Sequence, residues 1–284
     1  MAAPQVTINP HSAPSVSPIA LIANLWRNRQ ITLQMSMREI RGRYKGSTLG
    51  IAWSLLTPIL MLIVYTFVFS EIFKAKWGDA DASQSKAQFA VILFTGVIVL
   101  NFFCEIISRA PTTIIENSNF VKKVIFPIEI LPLVAIISAL FNSTTNIIVL
   151  LAALLIFNGS IPWTALFIPL VILPLAFLAL GLSWLLAALG VFIRDIGQAI
   201  NILTALLMFL SPVFYPLSAV PEFFRNVLLL NPLTFIIEQS RAVLIWGNPP
   251  NWDGLFIYYT AALTVAFIGY AWFQKTRKGF ADVL

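Results

Sequence analysis

The hydrophobic residues of this chain fall into long uncharged windows separated by short charged segments. The longest window runs from Ile130 to Ile193 and contains no Asp, Glu, Lys or Arg over 64 residues. A helix needs about 20 apolar residues to cross a bilayer, so this window predicts two crossings, with helix breakers clustered at 158–162 between them. Four more windows lie at 46–70, 87–104, 196–221 and 254–274.

These windows predict an all-α, polytopic membrane protein with six transmembrane helices. The predicted spans lie at about 47–73, 87–108, 129–157, 162–193, 196–217 and 254–274. Composition agrees, because 59% of the residues are hydrophobic and 11% are charged, whereas a soluble domain carries about 25% charged residues.

The Lys and Arg residues predict the orientation of these spans. Six crossings place 13 of them on one side of the membrane and five on the other. Cytoplasmic loops carry the excess of basic residues, so both termini are expected in the cytoplasm. Residues 1–20 contain Pro and Ser but no Lys or Arg. We expect a disordered cytoplasmic tail there, without a cleavable signal peptide, followed by a single membrane domain over 21–284.

Several classes of function are disfavoured by composition. The formal net charge of +6 does not indicate nucleic acid, because the basic residues lie beside the predicted spans. Cys104 is the single cysteine and His11 the single histidine, so the chain offers neither an internal disulfide nor a Cys/His metal cluster. We expect no catalytic residue and no metal site.

A basic helix is predicted just before the first span. Leu33, Met37, Ile40 and Tyr44 recur at helical spacing, and Gln34, Arg38, Arg41 and Lys45 form a parallel cationic stripe. Such an N-terminal amphipathic helix lies in the membrane interface and meets anionic headgroups with its basic face. It is either an anchor that enforces topology or a gate that receives an anionic lipid-linked substrate. The gate residues would be Arg38, Arg41, Arg43, Tyr44 and Lys45.

A family resemblance begins at this helix. Residues 41–50 (RGRYKGSTLG), followed by Trp53, Pro58 and Tyr65, resemble the start of the first span in the type-2 permease subunit of bacterial ATP-binding-cassette polysaccharide exporters. These proteins export O-antigen, teichoic acid or related glycans across the cytoplasmic (inner) membrane. The resemblance covers about residues 20–280.

The resemblance implies a homodimer whose two copies enclose a conduit, surrounded by membrane lipids. It also implies two ATPase subunits and a glycan substrate carried on a polyprenyl diphosphate lipid. The phosphate-binding pattern Gly-x-x-x-x-Gly-Lys-[Ser/Thr] does not occur in this chain. ATP and Mg²⁺ are therefore expected on the partner subunit.

The loop between the second and third spans is the expected contact with that partner. The sequence predicts a short amphipathic helix over 112–123. The segment is either a connecting loop with solvated charges or a coupling helix that docks on the ATPase. Segment 116–132 is similar to the coupling region of the family. The coupling residues would be Glu116, Asn119, Phe120, Lys122 and Lys123.

Two short helices are predicted between the fifth and sixth spans, from Pro221 to Leu230 and from Asn231-Pro232 to about Ile245. Charged residues interrupt both, so we expect a re-entrant external pair and not two crossings. The resemblance implies a gate at the external mouth, and an ordinary packed loop is the alternative. The gate residues would be Glu222, Arg225, Glu238 and Arg241.

Aromatic residues are candidates for the conduit lining, because an aromatic face suits the CH face of a sugar. Lipid-facing or core positions are the alternative for each of them. The candidates are Trp53, Tyr65, Phe69, Phe102, Phe103, Phe214 and Tyr215.

Two competing functions remain open. One is a type-2 exporter of another substrate, such as teichoic acid, capsule, a lipid or a drug. The other is an ion-coupled carrier or membrane enzyme that uses Glu105, the acidic residue closest to the middle of a span, which Arg109 can pair with one turn later.

Overall fold

The computed structural model of the protein describes residues 17–72, 77, 86–121 and 126–284, and none of these residues lies in a β-strand. The prediction of an all-α fold is confirmed. The helices are α1 (Pro18–Arg27), α2 (Arg29–Arg43), α3 (Trp53–Tyr65), α4 (Lys86–Arg109), α5 (Thr113–Glu116), α6 (Ser118–Val121), α7 (Leu131–Asn158), α8 (Ile168–Phe192), α9 (Ile196–Leu210), α10 (Glu222–Leu230), α11 (Pro232–Leu244), α12 (Trp252–Thr276) and α13 (Phe280–Val283).

Helix α1 begins inside the predicted disordered tail. Residues 1–16 lie outside the described residues, whereas Ser17 precedes a helix that starts at Pro18. Proline suits the first position of a helix, because its missing N–H group has no acceptor to lose there. The last three residues of the predicted tail are therefore helical.

Five helical stretches within the described ranges are long and apolar enough to cross a bilayer, which makes the chain a multi-pass membrane protein. Each overlaps a predicted span. The stretches are Gly50–Phe69, Gln88–Glu116, Ile128–Asn158, Trp163–Phe192 and Trp252–Gly279.

The remaining predicted span, over 196–217, is shorter than expected. Helix α9 has 15 residues and ends at Leu210, which gives a length of about 22 Å against a hydrocarbon core of about 30 Å. The helix ends because Ser211 is extended, with φ −106° and ψ 145°, and precedes Pro212. A residue before proline is disfavoured in the helical region.

The packing of α8 against α12 bears on the sixth predicted crossing. The two helices run parallel: Phe167 contacts Trp252 at their starts, with ring centroids 5.4 Å apart, and Phe192 contacts Phe280 at their ends, at 5.9 Å. Parallel membrane helices require one net crossing between them. Segment 193–251, which contains α9, α10 and α11, leads from the end of α8 back to the start of α12, in agreement with the six predicted crossings.

Both ends of the described chain meet at Glu129, as six crossings require. Asn24 of α1 donates a hydrogen bond to the Glu129 carboxylate, and Arg277, just after α12, donates to its other oxygen at 3.2 Å. Trp184 of α8 donates to the Glu129 carbonyl at 2.9 Å. Through its carboxylate and its backbone carbonyl, Glu129 therefore joins four separate parts of the chain at one end of the bundle, which we call the charged end.

Helix α4 lies at the centre of the bundle. Its most apolar window is 83% buried, against 11% for the stretch Gly50–Phe69 that contains α3. Helix α9 is also mostly exposed along its length. Apolar surface of this extent belongs in contact with lipid or with another protein chain.

Two glycines allow the close approach of α8 and α12. A Cβ atom added to Gly269 would lie 2.0 Å from the carbonyl oxygen of Gly181, and one added to Gly181 would lie 2.5 Å from that of Val265. Such backbone contact needs residues without side chains, as is common where membrane helices pack tightly.

We expect Gly269→Ala to force α8 and α12 apart and to destabilise the protein by about 3 kcal/mol. Gly197→Ala is the matched control, since the nearest heavy atom to its added Cβ is 4.0 Å away. Thermal unfolding of both purified variants in detergent measures the difference. Equal midpoints would show that the glycine contact does not hold the two helices.

Candidate functional site

Helix α2 packs on α7 through small polar residues. Thr32, Ser36 and Ile40 are buried, and the two hydroxyls donate to the backbone of their own helix, Ser36 to Thr32 at 2.8 Å. Leu33 and Met37 are 54% and 48% exposed. The predicted apolar stripe is therefore only partly buried. The packing face consists mainly of hydroxyl residues, which can be buried because they hydrogen-bond within the helix.

The exposed side of α2 forms a surface groove of about 880 Å³. Three of the predicted gate residues line it together with apolar side chains, a combination that suits an amphiphile with an anionic headgroup. We call this the basic groove. Its lining is Leu33, Gln34, Met37, Arg38, Arg41, Gly42 and Lys45.

Arg43 faces away from the basic groove and takes part in a chain of ion pairs. It pairs with Glu105 of α4 and lies 3.6 Å from Glu39, which Arg109 contacts at 2.6 Å. The expected Glu105–Arg109 pair is thus replaced by two pairs to α2. The reason is that α2 runs beside the end of α4 and presents one acid and one base to it.

Asn142 of α7 completes the environment of Glu105. Its carboxamide nitrogen lies 3.1 Å from Oε1 and 3.0 Å from Oε2 of that carboxylate. Glu105 is therefore held by α2 and α7 as well as by its own helix. An acid at membrane depth is expected to be paired in this way.

Beside Glu105 lies a cavity of about 480 Å³ between α3, α4 and α7, which we call the polar cleft. Each helix presents residues at helical spacing, so three polar faces converge on one space. The lining is Tyr44 after α2; Trp53, Ser54, Thr57 and Pro58 on α3; Asn101, Cys104, Glu105 and Ser108 on α4; and Asn142, Thr145 and Asn146 on α7.

Sequence reasoning missed the α7 side of the polar cleft. Residues 142–146 (NSTTN) lie in the middle of a 28-residue helix, but they carry no charge, so a search for charged residues passes over them. Five consecutive polar residues at the centre of an apolar span were the available signal.

The predicted conduit aromatics occupy three different environments. Trp53 lines the polar cleft and is 38% exposed. Phe102 and Phe103 are 2% and 4% exposed, which is the placement of core residues within one chain.

The other four candidates lie toward the opposite end of the bundle. The Tyr65 ring lies 6.5 Å from Phe94 of α4, and Phe69 stacks on Phe214 at 5.6 Å. Tyr215 donates its hydroxyl to the Phe209 carbonyl at 2.8 Å. A conduit role for the seven aromatics stays a prediction, and within one chain they do not form a single lining.

The segment expected to contact a partner is built differently from the prediction of one helix over 112–123. The α4 stretch continues to Glu116 and breaks at Asn117, whose side chain donates to the Thr113 carbonyl at 2.8 Å. Short helix α6 follows. Glu116 and Asn119 are exposed, and Phe120 stacks on Phe126 at 4.4 Å. Lys122 and Lys123 lie outside the described residues.

Helices α10 and α11 form the predicted re-entrant pair, with a bend of 94° between them. Tyr258, six residues into α12, donates to the Pro232 carbonyl at 3.0 Å, and Thr164, just before α8, donates to the Val243 carbonyl at 2.6 Å. Helix α11 thus starts at depth and returns to the level where α8 begins. Asn231 caps it by accepting a hydrogen bond from the Leu233 N–H at 2.9 Å.

Arg241, one of the predicted gate residues, is fully buried near the end of α11. It donates to the Ile92 carbonyl at 3.2 Å, to the Val213 carbonyl at 3.0 Å and to the Glu238 carboxylate at 2.8 Å. Its guanidinium also lies 4.3 Å from the centre of the Trp77 ring. Arg241 and Glu238 therefore fasten α11 to α4 and to the segment after α9.

The other two gate residues lie on α10 nearer the surface. Arg225 donates to the Val220 carbonyl at 3.2 Å, which ties the start of α10 to the turn before it. Glu222 is exposed, and the neighbouring Phe223 and Phe224 are 79% and 58% exposed. This helix presents an apolar face outward.

No group of three or more His, Cys, Asp or Glu residues that could hold a metal ion occurs within the described ranges. The geometry described above consists of a membrane bundle, a basic groove and a polar cleft near the charged end, and a re-entrant pair at the opposite end. Together they define a helical multi-pass membrane protein with a polar space among its helices.

Comparison with known proteins places the chain more narrowly. The family model for ABC-2 type transporters matches residues 30–245, so the chain belongs to this family. It is 26% identical to the O-antigen export system permease protein RfbA of Myxococcus xanthus, over 93% of this chain and 99% of that protein. The protein of the same name from Klebsiella pneumoniae is 24% identical, over 87% and 92%. The polysialic acid transport protein KpsM of Escherichia coli is 26% identical, over 88% and 95%.

We expect Arg43→Gln to destabilise the protein by about 1 kcal/mol, because it removes the cation that pairs with the partly exposed Glu105 carboxylate. Glu105→Gln should cost less, since Arg43 keeps Glu39. The double variant should be more stable than the sum of the two effects predicts, with a coupling of about 1 kcal/mol.

Thermal unfolding in detergent measures all three variants. Arg41→Gln is the matched control, because Arg41 lies two residues away on the same helix and lines the basic groove instead of facing Glu105. A loss of stability no greater than that of the control would refute the network.

Proposed function

We propose that this chain is the membrane-spanning subunit of an exporter that moves a lipid-linked polysaccharide of the O-antigen type out of the cytoplasm across the bacterial inner membrane. The observation that carries the proposal is the match to an O-antigen export permease over nearly the whole length of both chains. Relatives named for polysialic acid and capsule export support the same class of cargo.

The energy for export comes from ATP hydrolysed by two partner subunits, which also bind Mg²⁺. Two facts support this: the chain belongs to a family of ABC-2 type transporters, and it contains no phosphate-binding Gly-x-x-x-x-Gly-Lys pattern of its own. The permease is thus a transport component and not the ATPase.

The charged end faces the cytoplasm in this proposal. The excess of Lys and Arg near that end supports the orientation, because cytoplasmic segments carry the basic excess. The turn formed by α5 and α6 lies at the same end and exposes Glu116 and Asn119. It is the surface on which the ATPase docks, and motion of the ATPases passes through it directly into α4.

Two copies of the chain enclose the conduit. The exposed apolar sides of α3 and α9 support this, since each flanks the central α4 and leaves surface that a second copy covers. The re-entrant pair lies at the outer mouth, where its fastening through Arg241 holds it in place. Glycan advances outward when the ATPases close and the spans move.

The basic groove receives the anionic diphosphate lipid. We expect Arg38, Arg41 and Lys45 changed together to Gln to weaken lipid engagement by about 3 kcal/mol, at roughly 1 kcal/mol per cation near an anionic group. Surface glycan, measured by immunoblot, should fall sharply while the chain remains inserted.

A triple change of Arg194, Lys275 and Lys278 to Gln controls for net charge. These three cations are exposed beside the same end of the bundle but lie outside the groove. Loss of export in both triple variants would reduce α2 to a topology anchor.

Affinity purification of this chain from its native membrane tests the proposed function itself. We expect an ATP-binding cassette subunit to co-purify and the complex to hydrolyse ATP. Deletion of the chain should also remove the glycan from the cell surface. Full surface glycan after deletion, or export that persists without any ATPase subunit, would overturn the proposal.

An ion-coupled carrier is the second candidate, because Glu105 lines a cavity within the bundle. The contacts of Glu105 weigh against it: Arg43 and two contacts from Asn142 already engage the carboxylate. Purification of an active chain without an ATPase partner would favour this candidate.

A further inference from the structure

We propose that the polar cleft is a sugar-binding subsite that holds one pyranose unit of the transported glycan. The inference rests on the proposed function and adds the part of the substrate that this chain recognises. Its volume of about 480 Å³ falls within the range of about 300–1,000 Å³ typical of small-molecule sites.

The exposure of Asn101 indicates that the cleft does not face the hydrocarbon core of the bilayer. Asn101 is an exposed residue near the middle of α4, whereas its neighbours Leu100 and Phe102 are 5% and 2% exposed. A polar side chain at this depth faces water, protein or a polar ligand and not lipid tails. The cleft is therefore a polar space within the membrane domain.

The chemistry of the lining matches hydroxyl groups. Carboxamides such as those of Asn101 and Asn146 both donate and accept hydrogen bonds, and so does a sugar hydroxyl. Trp53 adds an aromatic face, which suits the CH face of a pyranose ring. A carbohydrate site combines polar groups with an aromatic face, and the cleft has both.

The charge of the lining favours a neutral ligand over an ionic one. Glu105 is the one acidic residue of the lining and is neutralised by Arg43, and the other lining groups are neutral. A free cation would need an unpaired carboxylate, and a diphosphate would need unpaired cations. A neutral polyhydroxyl unit needs neither.

The position of the cleft agrees with the order of groups in a lipid-linked glycan. Tyr44 lines the polar cleft, and the next residue, Lys45, lines the basic groove. A substrate whose diphosphate lies in the groove therefore has its first sugars at the cleft. The basic groove and the polar cleft therefore bind successive parts of one substrate molecule.

Cys104 provides a built-in test, because it is the single cysteine of the chain and lines the cleft. A charged methanethiosulfonate reagent is applied to inside-out vesicles, from cells that synthesise the lipid-linked glycan and from cells that do not. We expect Cys104 to react in glycan-free vesicles and about tenfold more slowly in glycan-loaded ones, as for a site occupied most of the time. Equal rates, or no reaction in either, would overturn the proposal.

A pair of matched variants gives a second readout. Asn146→Leu keeps the side-chain size and removes hydrogen-bonding groups from the cleft, and should lower surface glycan about tenfold at equal chain abundance. Asn158→Leu makes the same change at an exposed position on the same helix and should leave export unchanged. Equal export by the two variants contradicts the sugar subsite.

Deletion of the chain, run in parallel, separates the two levels of inference. If deletion removes surface glycan but Cys104 reacts equally in both kinds of vesicle, the sugar subsite is wrong and the exporter stands. If surface glycan survives deletion, the proposed function fails, and the subsite falls with it.

Discussion

The structure depends on one constraint: every charged group at membrane depth needs a partner, because hydrocarbon offers none. Glu105 meets it with Arg43 and Asn142, Glu129 with Arg277 and Asn24, and Arg241 with Glu238 and two backbone carbonyls. Each solution joins elements that are far apart in the chain. In the membrane, pairs of polar groups therefore hold the helices together. In water, burial of apolar surface has that role.

These pairings also divide the molecule into two working ends. At the charged end, α1, α2, the start of α7 and the end of α12 are tied by Glu129 and by the ion pairs of α2. At the opposite end, Arg241 fastens α11 to α4. Helix α4 is central to both, so a displacement of the turn at α5 and α6 has a direct path to the re-entrant pair. The polar cleft lies near the charged end, next to the basic groove of α2.

Much of this architecture follows from local chemistry. The uncharged windows predicted the membrane helices, and Asn231-Pro232 predicted the start of α11, because an asparagine cap and a proline at the first position are favourable wherever the chain goes. The ion-pair partners of the charged residues could not be predicted from local chemistry. Arg43 has the same sequence signature as Arg41, yet Arg43 pairs with Glu105 of α4 whereas Arg41 lines the basic groove. Helix α9 also stopped seven residues before its predicted end, at a serine that precedes proline.

The sequence by itself determined the class of fold, the positions of the membrane helices and the family, because hydropathy, helix breakers and residue order are properties of short segments. Only the tertiary structure decided which polar residues meet. The polar cleft needs faces of α3, α4 and α7 that are separated by up to about ninety residues of chain, and the α8–α12 contact needs Gly181 opposite Gly269. Such pairs are set by helix rotation and crossing geometry, which depend on how the whole bundle packs.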